Sequence, residues 1–299
     1  MKEKPEYFQV KEVIDLNLTN EGNFSCFKLK KINYNTVKAI EFIANKFKIN
    51  PKQIGFAGNK DKQAITTQYI SIPKDRVNPK EYSFKDINLN FVGYINKKIS
   101  LGDLKGNRFK IRLNKKLKNV PKFYENYFDE QRFGINHNNH ILGKLIINKK
   151  FDELKKYIED QSKYAYNMKL RFYFHSYQSY LFNIVLAQYL SNYECIKTKY
   201  SLGEFIFIKK EIKNFKIPLI NFDTRLKGKI GELYKRILKK ENLTLDSFLI
   251  RSHPFLVSDT QERDAFVKVK NITQKKNYIY FYLPKGAYAT MFIKKLLLL

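Results

Sequence analysis

The first half of the chain alternates apolar and polar residues with the period of half-buried strands. YFQVKEVI (7–14) and FSCFKLKKI (24–32) read as two strands joined through a Gly-Asn turn. A helix is predicted over 36–48, with Thr36 as N-cap and Val37, Ile40, Ile43, Ala44 and Phe47 as its buried stripe. Strand patterning returns at 64–72, 88–95 and 108–113, so this half reads β-β-α-β-β-β. The pattern changes near residue 150. FDELKKYIED is predicted helical, and so is HSYQSYLFNIVLAQYL, with Tyr177, Tyr180, Leu181, Ile184 and Val185 on one face. A weaker strand region at 203–222 and a charged helix at 229–241 follow. FVKVKNI, NYIYFYLPKG and AYATMFIKKL then read as strands between 266 and 299. This order predicts one mixed α/β sheet domain, residues 1–150 and 258–299, interrupted by a helical insertion over 151–257.

Charge changes the picture from fold to partner. In 299 residues, 57 Lys+Arg face only 28 Asp+Glu, a formal net charge of +29 spread along the whole chain. Such self-repulsion is expected of a protein whose partner is a polyanion. The 25 Phe and 21 Tyr interleaved with it suit unstacked bases as well as phosphates. Cys26 and Cys195 supply neither a disulfide framework nor a zinc spacing. The N-terminal MKEKPEYFQVKEV has no apolar signal region, and the final LLLL is too short to span a bilayer. A cytoplasmic protein without membrane attachment is expected, nuclear if the source is eukaryotic.

Several familiar motifs fail. Asn59-Lys60-Asp61 has its acid one residue too early for a guanine-reading NKxD, and there is no Walker A loop or G-x-S-x-G elbow. His137 and His140 form an H-x-x-H in a predicted loop without Cys or acidic partners, so no metal site is expected there. What remains is a set of short, chemically dense segments. GFAGNKDKQAITTQ places Asp61 in a turn between strand-like runs, and LKGNRF (104–109) suggests a turn suited to close approach by a phosphate. NYFDEQRFG (126–134) and LPKGAYATM (283–291) add aromatics, amides and cations.

In this order AGNKDKQAITTQ, LKGNRF, NYFDEQRFG, HSYQSYLFN and LPKGAYATM resemble the successive signature segments of the TruD family of tRNA pseudouridine synthases. PEYFQVKE is similar to that family's opening segment, so the resemblance reaches from residue 5 to 295. It implies the pseudouridine synthase fold, an α+β domain with a mixed, mainly antiparallel sheet and flanking helices, plus a TruD-type insertion domain. It also implies a cofactor-free, metal-free isomerisation of uridine to pseudouridine, at position 13 of tRNA in bacteria and archaea. Asp61 matches the catalytic aspartate, while Phe8, Asn126 and Tyr288 match substrate-contacting positions. The chain departs from the family pattern at Tyr7, Asn59 and Asp129, the last where Gly is usual.

The residues agree chemically with that assignment. The isomerisation needs access to both base and sugar, so the nucleotide must leave its stack. A carboxylate serves as nucleophile or base, and Lys60 and Arg132 are candidates for keeping it charged. Phe128 and Tyr288 would offer a face to the flipped uracil and Asn126 its polar edge contacts. Each residue alone has a plainer reading: Asp61 as a turn cap, the phenylalanines as core, Arg132 as a surface partner of Glu130 or Asp129. A monomeric enzyme with tRNA as partner and no obligate protein partner is expected. The rival functions are an RNA-binding or chaperone protein on the same scaffold, and a structural ribonucleoprotein component.

Overall fold

Alternation in the first strands becomes the two faces of one sheet. The computed structural model describes residues 4–113, 117, 119–158 and 163–299. In chain order its strands and helices are β1 (Phe8–Ile14), β2 (Phe24–Ile32), α1 (Thr36–Phe47), β3 (Gly55–Phe56), β4 (Ile65–Pro73), β5 (Tyr82–Ser83), β6 (Ile87–Ile95) and β7 (Leu104–Arg112). Then come β8 (Phe123–Glu125), α2 (Asn139–Ile147), α3 (Phe151–Lys155), α4 (Lys163–Leu190), β9 (Cys195–Tyr200), β10 (Gly203–Ile208), β11 (Lys216–Leu219) and α5 (Gly228–Lys240). The chain ends with β12 (Gln261–Asp264), β13 (Phe266–Lys268), β14 (Lys270–Lys275), β15 (Tyr278–Pro284) and α6 (Ala289–Leu298).

Two compact units result, 1–122 with 268–289 and 123–267 with 290–299. These limits differ from the division expected at 150 and 258, because the signature segment 126–134 and α2 fall in the second unit.

The first unit is the mixed, mainly antiparallel sheet β14-β15-β7-β1-β4-β2-β6-β5. Only β1 and β4 run parallel, through Gln9↔Ile65 to Lys11↔Thr67. Farther along, that same edge of β4 pairs with β3 at Ile70 and Ser71, leaving a fork at Gln68 and Tyr69. Phe27, Leu29, Ile70, Ile72, Ile87 and Leu89 form the inner face over which α1 lays Ala39, Ile40, Ile43 and Ala44. Each fully buried aliphatic or Phe side chain contributes roughly 1.5–3 kcal/mol. Two expectations for α1 are corrected. Asn35, not Thr36, is the N-cap, accepting the Val37 N–H at 2.8 Å, and Val37 points to solvent. The hydroxyl of Thr36 is used inside instead.

LKGNRF also differs from expectation, because Lys105 to Phe109 lie within β7. A Cβ on Gly106 would fall 2.2 Å from the Leu283 carbonyl oxygen and 2.5 Å from the Tyr282 hydroxyl. Its glycine therefore admits the neighbouring strand β15, not a phosphate.

In the second unit α4 is the central element, with Leu170, Phe174, Tyr177, Leu181, Phe182, Val185, Leu186 and Leu190 buried. Ser176, Gln178, Ser179 and Asn183 are buried too, so the helix is enclosed on more than the one face predicted. FDELKKYIED is helical only over α3, and its residues 159–160 lie outside the described ones. β9 was not expected, and AYATMFIKKL, expected as a strand, forms α6. Short apolar runs do not distinguish the two conformations; here ion pairs from Lys294 and Lys295 fix the helical spacing. His140 opens α2 instead of sitting in a loop, its ring 4.6 Å from that of Tyr180.

Candidate active site

Asp61 stands half-buried in the connection between β3 and β4, where the chain is irregular. It is held from outside. The ammonium of Lys31, fully buried on β2, donates to the carbonyls of Tyr34 at 2.6 Å, Asp61 at 3.2 Å and Lys60 at 3.4 Å. Burial brings this lysine down to about 8, a fall resisted by the negative charge of Asp61 and reinforced by Lys60. Thr36 accepts the Lys60 N–H at 2.9 Å and donates to Gln68 at 3.1 Å, and Gln68 in turn donates to the Gly58 carbonyl at 3.2 Å. Every one of these is a buried polar group supplied with a partner.

Lys60, expected to meet RNA, points inward, and its ammonium pairs with the carboxylate of Glu12. The second Glu12 oxygen accepts the Tyr69 N–H at 3.0 Å, so this carboxylate fills the fork between β1 and β3. The structure places Lys60 as an anchor for the turn. Phe8, also expected at the substrate, is 1% exposed and edge-on to Phe109 at 6.2 Å.

Other signature segments of the first unit reach the same neighbourhood through backbone bonds. Ala57 accepts the Gly102 N–H at 2.8 Å, and the Gly102 carbonyl accepts from Lys285 Nζ at 3.0 Å. Lys285 N–H also donates to Lys105 at 3.0 Å. The turn of β15 that leads to the half-buried Tyr288 is thus tied to the loop after Ala57. Among the described residues no three His, Cys, Asp or Glu side chains are grouped to hold a metal ion.

The second unit gathers Asn126, Phe128 and Arg132 in another way. Asn126 donates to the Asp264 carbonyl at 2.9 Å, and its amide oxygen accepts from Arg263. That guanidinium also lies 4.2 Å from the Phe128 ring centre. Asn183 grips the Phe128 backbone from both sides, at 2.9 and 2.8 Å, and Arg132 donates to Ser179 at 3.2 Å. HSYQSYLFN thus acts as the clamp for NYFDEQRFG. Asp129, the departure from the family's Gly, accepts from Thr290 at 2.6 Å and Lys294 at 3.0 Å. Phe128, Arg132, Gln178, Asn221 and Asp259 line a cavity of about 80 Å³ together with His175. Burial and the guanidinium groups of Arg132 and Arg171 lower His175 to about 4, so it is neutral at pH 7.

Sequence reasoning missed Glu12, Lys31, Gln68 and Arg263. The first two carried a usable signal. Glu12 shares strand parity with Phe8 and Val10, and Lys31 with Phe27 and Leu29, so both belong on the buried face.

Residues 1–169 and 205–296 match the family model described as "tRNA pseudouridine synthase D (TruD)". The chain is 29% identical to the tRNA pseudouridine synthase D of Aquifex aeolicus, covering 99% of this chain and 97% of that protein. It is 30% identical to a probable tRNA pseudouridine synthase D of Nanoarchaeum equitans, over 100% and 98% of the two chains. The fold is similar to the crystal structure of a putative tRNA pseudouridine synthase D from Methanosarcina mazei, with TM-score 0.66 at 21% identity. That match covers 100% of this chain and 93% of the other.

Proposed function

The chain belongs to the tRNA pseudouridine synthase D family and is a tRNA pseudouridine synthase; from that premise we propose that Asp61 is its catalytic carboxylate. The target in this reading is a uridine flipped out of position 13 of tRNA, and the enzyme works in the cytoplasm. The N1–C1′ bond breaks, a C5–C1′ bond forms, the C5 proton leaves to solvent and N1 takes one up. Asp61 supplies the oxygen that acts as nucleophile or base on the flipped nucleotide, so that the base is released from C1′ and rejoined through C5. Tyr288 offers an aromatic face, and Asn126 and Phe128 serve base and edge contacts once Arg263 yields to substrate.

One observation supports this reading above the others. A buried ammonium, a buried ion pair and a buried hydroxyl all hold the short turn that carries the half-buried carboxylate of Asp61. A turn-capping aspartate would not require such support.

Asp61→Asn tests it. The amide keeps the shape and turn preference, so folding and tRNA affinity should persist while pseudouridine formation disappears. Tritium release from C5-labelled uridine tRNA in a single turnover, with binding and melting measured alongside, is the comparison. Appreciable turnover by a folded, tRNA-binding Asn variant would remove Asp61 from the chemistry.

A further inference from the structure

The sheet of the first unit has a second face, and its composition is unlike the first. Strand register carries one ladder across it: Lys30 opposite Thr67, Thr67 opposite Lys11, Lys11 opposite Arg108, Arg108 opposite Tyr282, and Tyr282 opposite Lys270. Lys11, Lys30, Arg108 and Lys270 are exposed. Beside this ladder Lys110 pairs with Tyr280 and Arg112 with Tyr278. The Lys110 ammonium lies 4.6 Å from the Tyr278 ring centre, and the Arg112 guanidinium 4.3 Å from that of Tyr7. A hollow of about 420 Å³ opens between Gln9, Lys11, Lys28, Lys30, Thr67 and Asn90.

No acid offsets these cations within the strands. Glu12 is the single carboxylate in β1, β2, β4, β6, β7, β14 and β15, and it is buried with Lys60 on the inner face. Asp15 and Glu81 lie beyond strand ends, where they engage Lys105 and Asn90. Five strand spacings of ~4.8 Å separate Lys30 from Lys270, a span of about 24 Å, enough to meet several phosphates of one strand.

We infer that this open face is a second RNA-docking surface, which grips a part of the substrate tRNA away from the target uridine. The inference rests on the tRNA-modifying role proposed above. Charge complementarity selects a polyanion, and tyrosines set between cations select one with unstacked bases or exposed sugar edges over a protein partner. The Asp61 turn is held by inner-face groups, Lys31 and Gln68, and not by the cations of the open face. That face acts on affinity and on the orientation of a long substrate.

K30E/R108E tests this, with K38E/K46E on exposed positions of α1 as a variant of equal charge change. The first should raise the Kd for tRNA by roughly tenfold or more at 0.1 M salt and reduce the slope of log K against log salt by about two. Its single-turnover rate at saturating tRNA should match wild type. K38E/K46E should move Kd by less than about threefold under the same electrostatic screening. If the reversal pair melts early, Lys30→Gln with Arg108→Gln should show the same sign at smaller size. Unchanged affinity and slope, or an equal loss in K38E/K46E, would overturn the inference. So would retained tRNA affinity with lost binding to phosphatidylserine vesicles, which would assign the face to a membrane surface. The readout is binding, so a wild-type protein inactive on uridine but sensitive to the reversal would sink the catalytic reading alone.

Discussion

Lys30 and Lys31 are neighbours in one strand and have opposite fates. Lys30 is exposed on the open face, whereas Lys31 is fully buried on the inner face with its hydrogens directed to three carbonyls. Lys11 and Glu12 repeat the contrast on β1. The outer charges are interchangeable members of a field, each of small individual worth. The inner ones are singular, because a charge away from water is tolerable only with its particular partners in place. On the two proposals made above, irreplaceable charge behind Asp61 would serve the chemistry and replaceable charge on the open face the grip on RNA.

Removing one inner charge should break the contrast most severely. Glu12→Ala leaves the Lys60 ammonium buried without its carboxylate and the Tyr69 N–H without its acceptor. A loss of about 3–5 kcal/mol is expected, read from urea unfolding. A loss below about 1 kcal/mol would show that Lys60 behaves like a surface lysine.

Lys31→Met should come next. The apolar chain fills much of the same space but leaves the carbonyls of Tyr34, Lys60 and Asp61 unmatched. Stability should drop by about 1–3 kcal/mol for these lost hydrogen bonds. Turnover should fall further than tRNA affinity, because Asp61 loses its positioning. Parallel losses in rate and affinity would instead describe a general loosening.

The pH dependence of Lys31 sharpens the same point. Its folded pKa of about 8 lies below its ordinary 10.5, so both states are protonated below pH 8 and the burial cost is present in full. Between pH 8 and about 10.5 the unfolded chain holds the proton that the folded chain has released, so this lysine's contribution to stability rises with pH. The stability of wild type relative to Lys31→Met should therefore increase over that window. A flat difference from pH 7 to 10 would mean the buried ammonium is not titrating. Smallest of all should be Lys30→Met, within about 0.5 kcal/mol of wild type at any pH, as expected for an exposed strand position.

The strands of the first unit and α1 were legible because period-2 and period-3.6 patterns survive wherever one face is wet. Legibility failed where long-range partners decide. α6 is an apolar run whose helical register depends on Asp129 and Glu125, far back in the chain. Asp61 stood out through its signature, but its support did not. Lys31 and Glu12 look like ordinary surface charge until strand parity is followed, and Arg263 has no local signal at all. Phe8, Phe128 and Asn126, expected as substrate contacts, are buried in the structure, the latter two against Arg263, a packing that no local pattern announces.

The arrangement of the closing strands bears on how the chain folds as it is made. β7 must wait for β15, its neighbour in the sheet, while all of β8 to β14 is synthesised between them. Closing so long a loop directly would be slow. Pairing of β8 with β13 removes the delay, because it brings residues 122 and 268 side by side, where the Val269 N–H reaches the Lys122 carbonyl at 2.8 Å. Once those ends meet, the remaining closure is shortened to little more than a hairpin's connection. The interruption in the sheet thus becomes its timing device: the later-made segment, folding on itself, delivers β15 to the edge that has been waiting since the first strands left the ribosome.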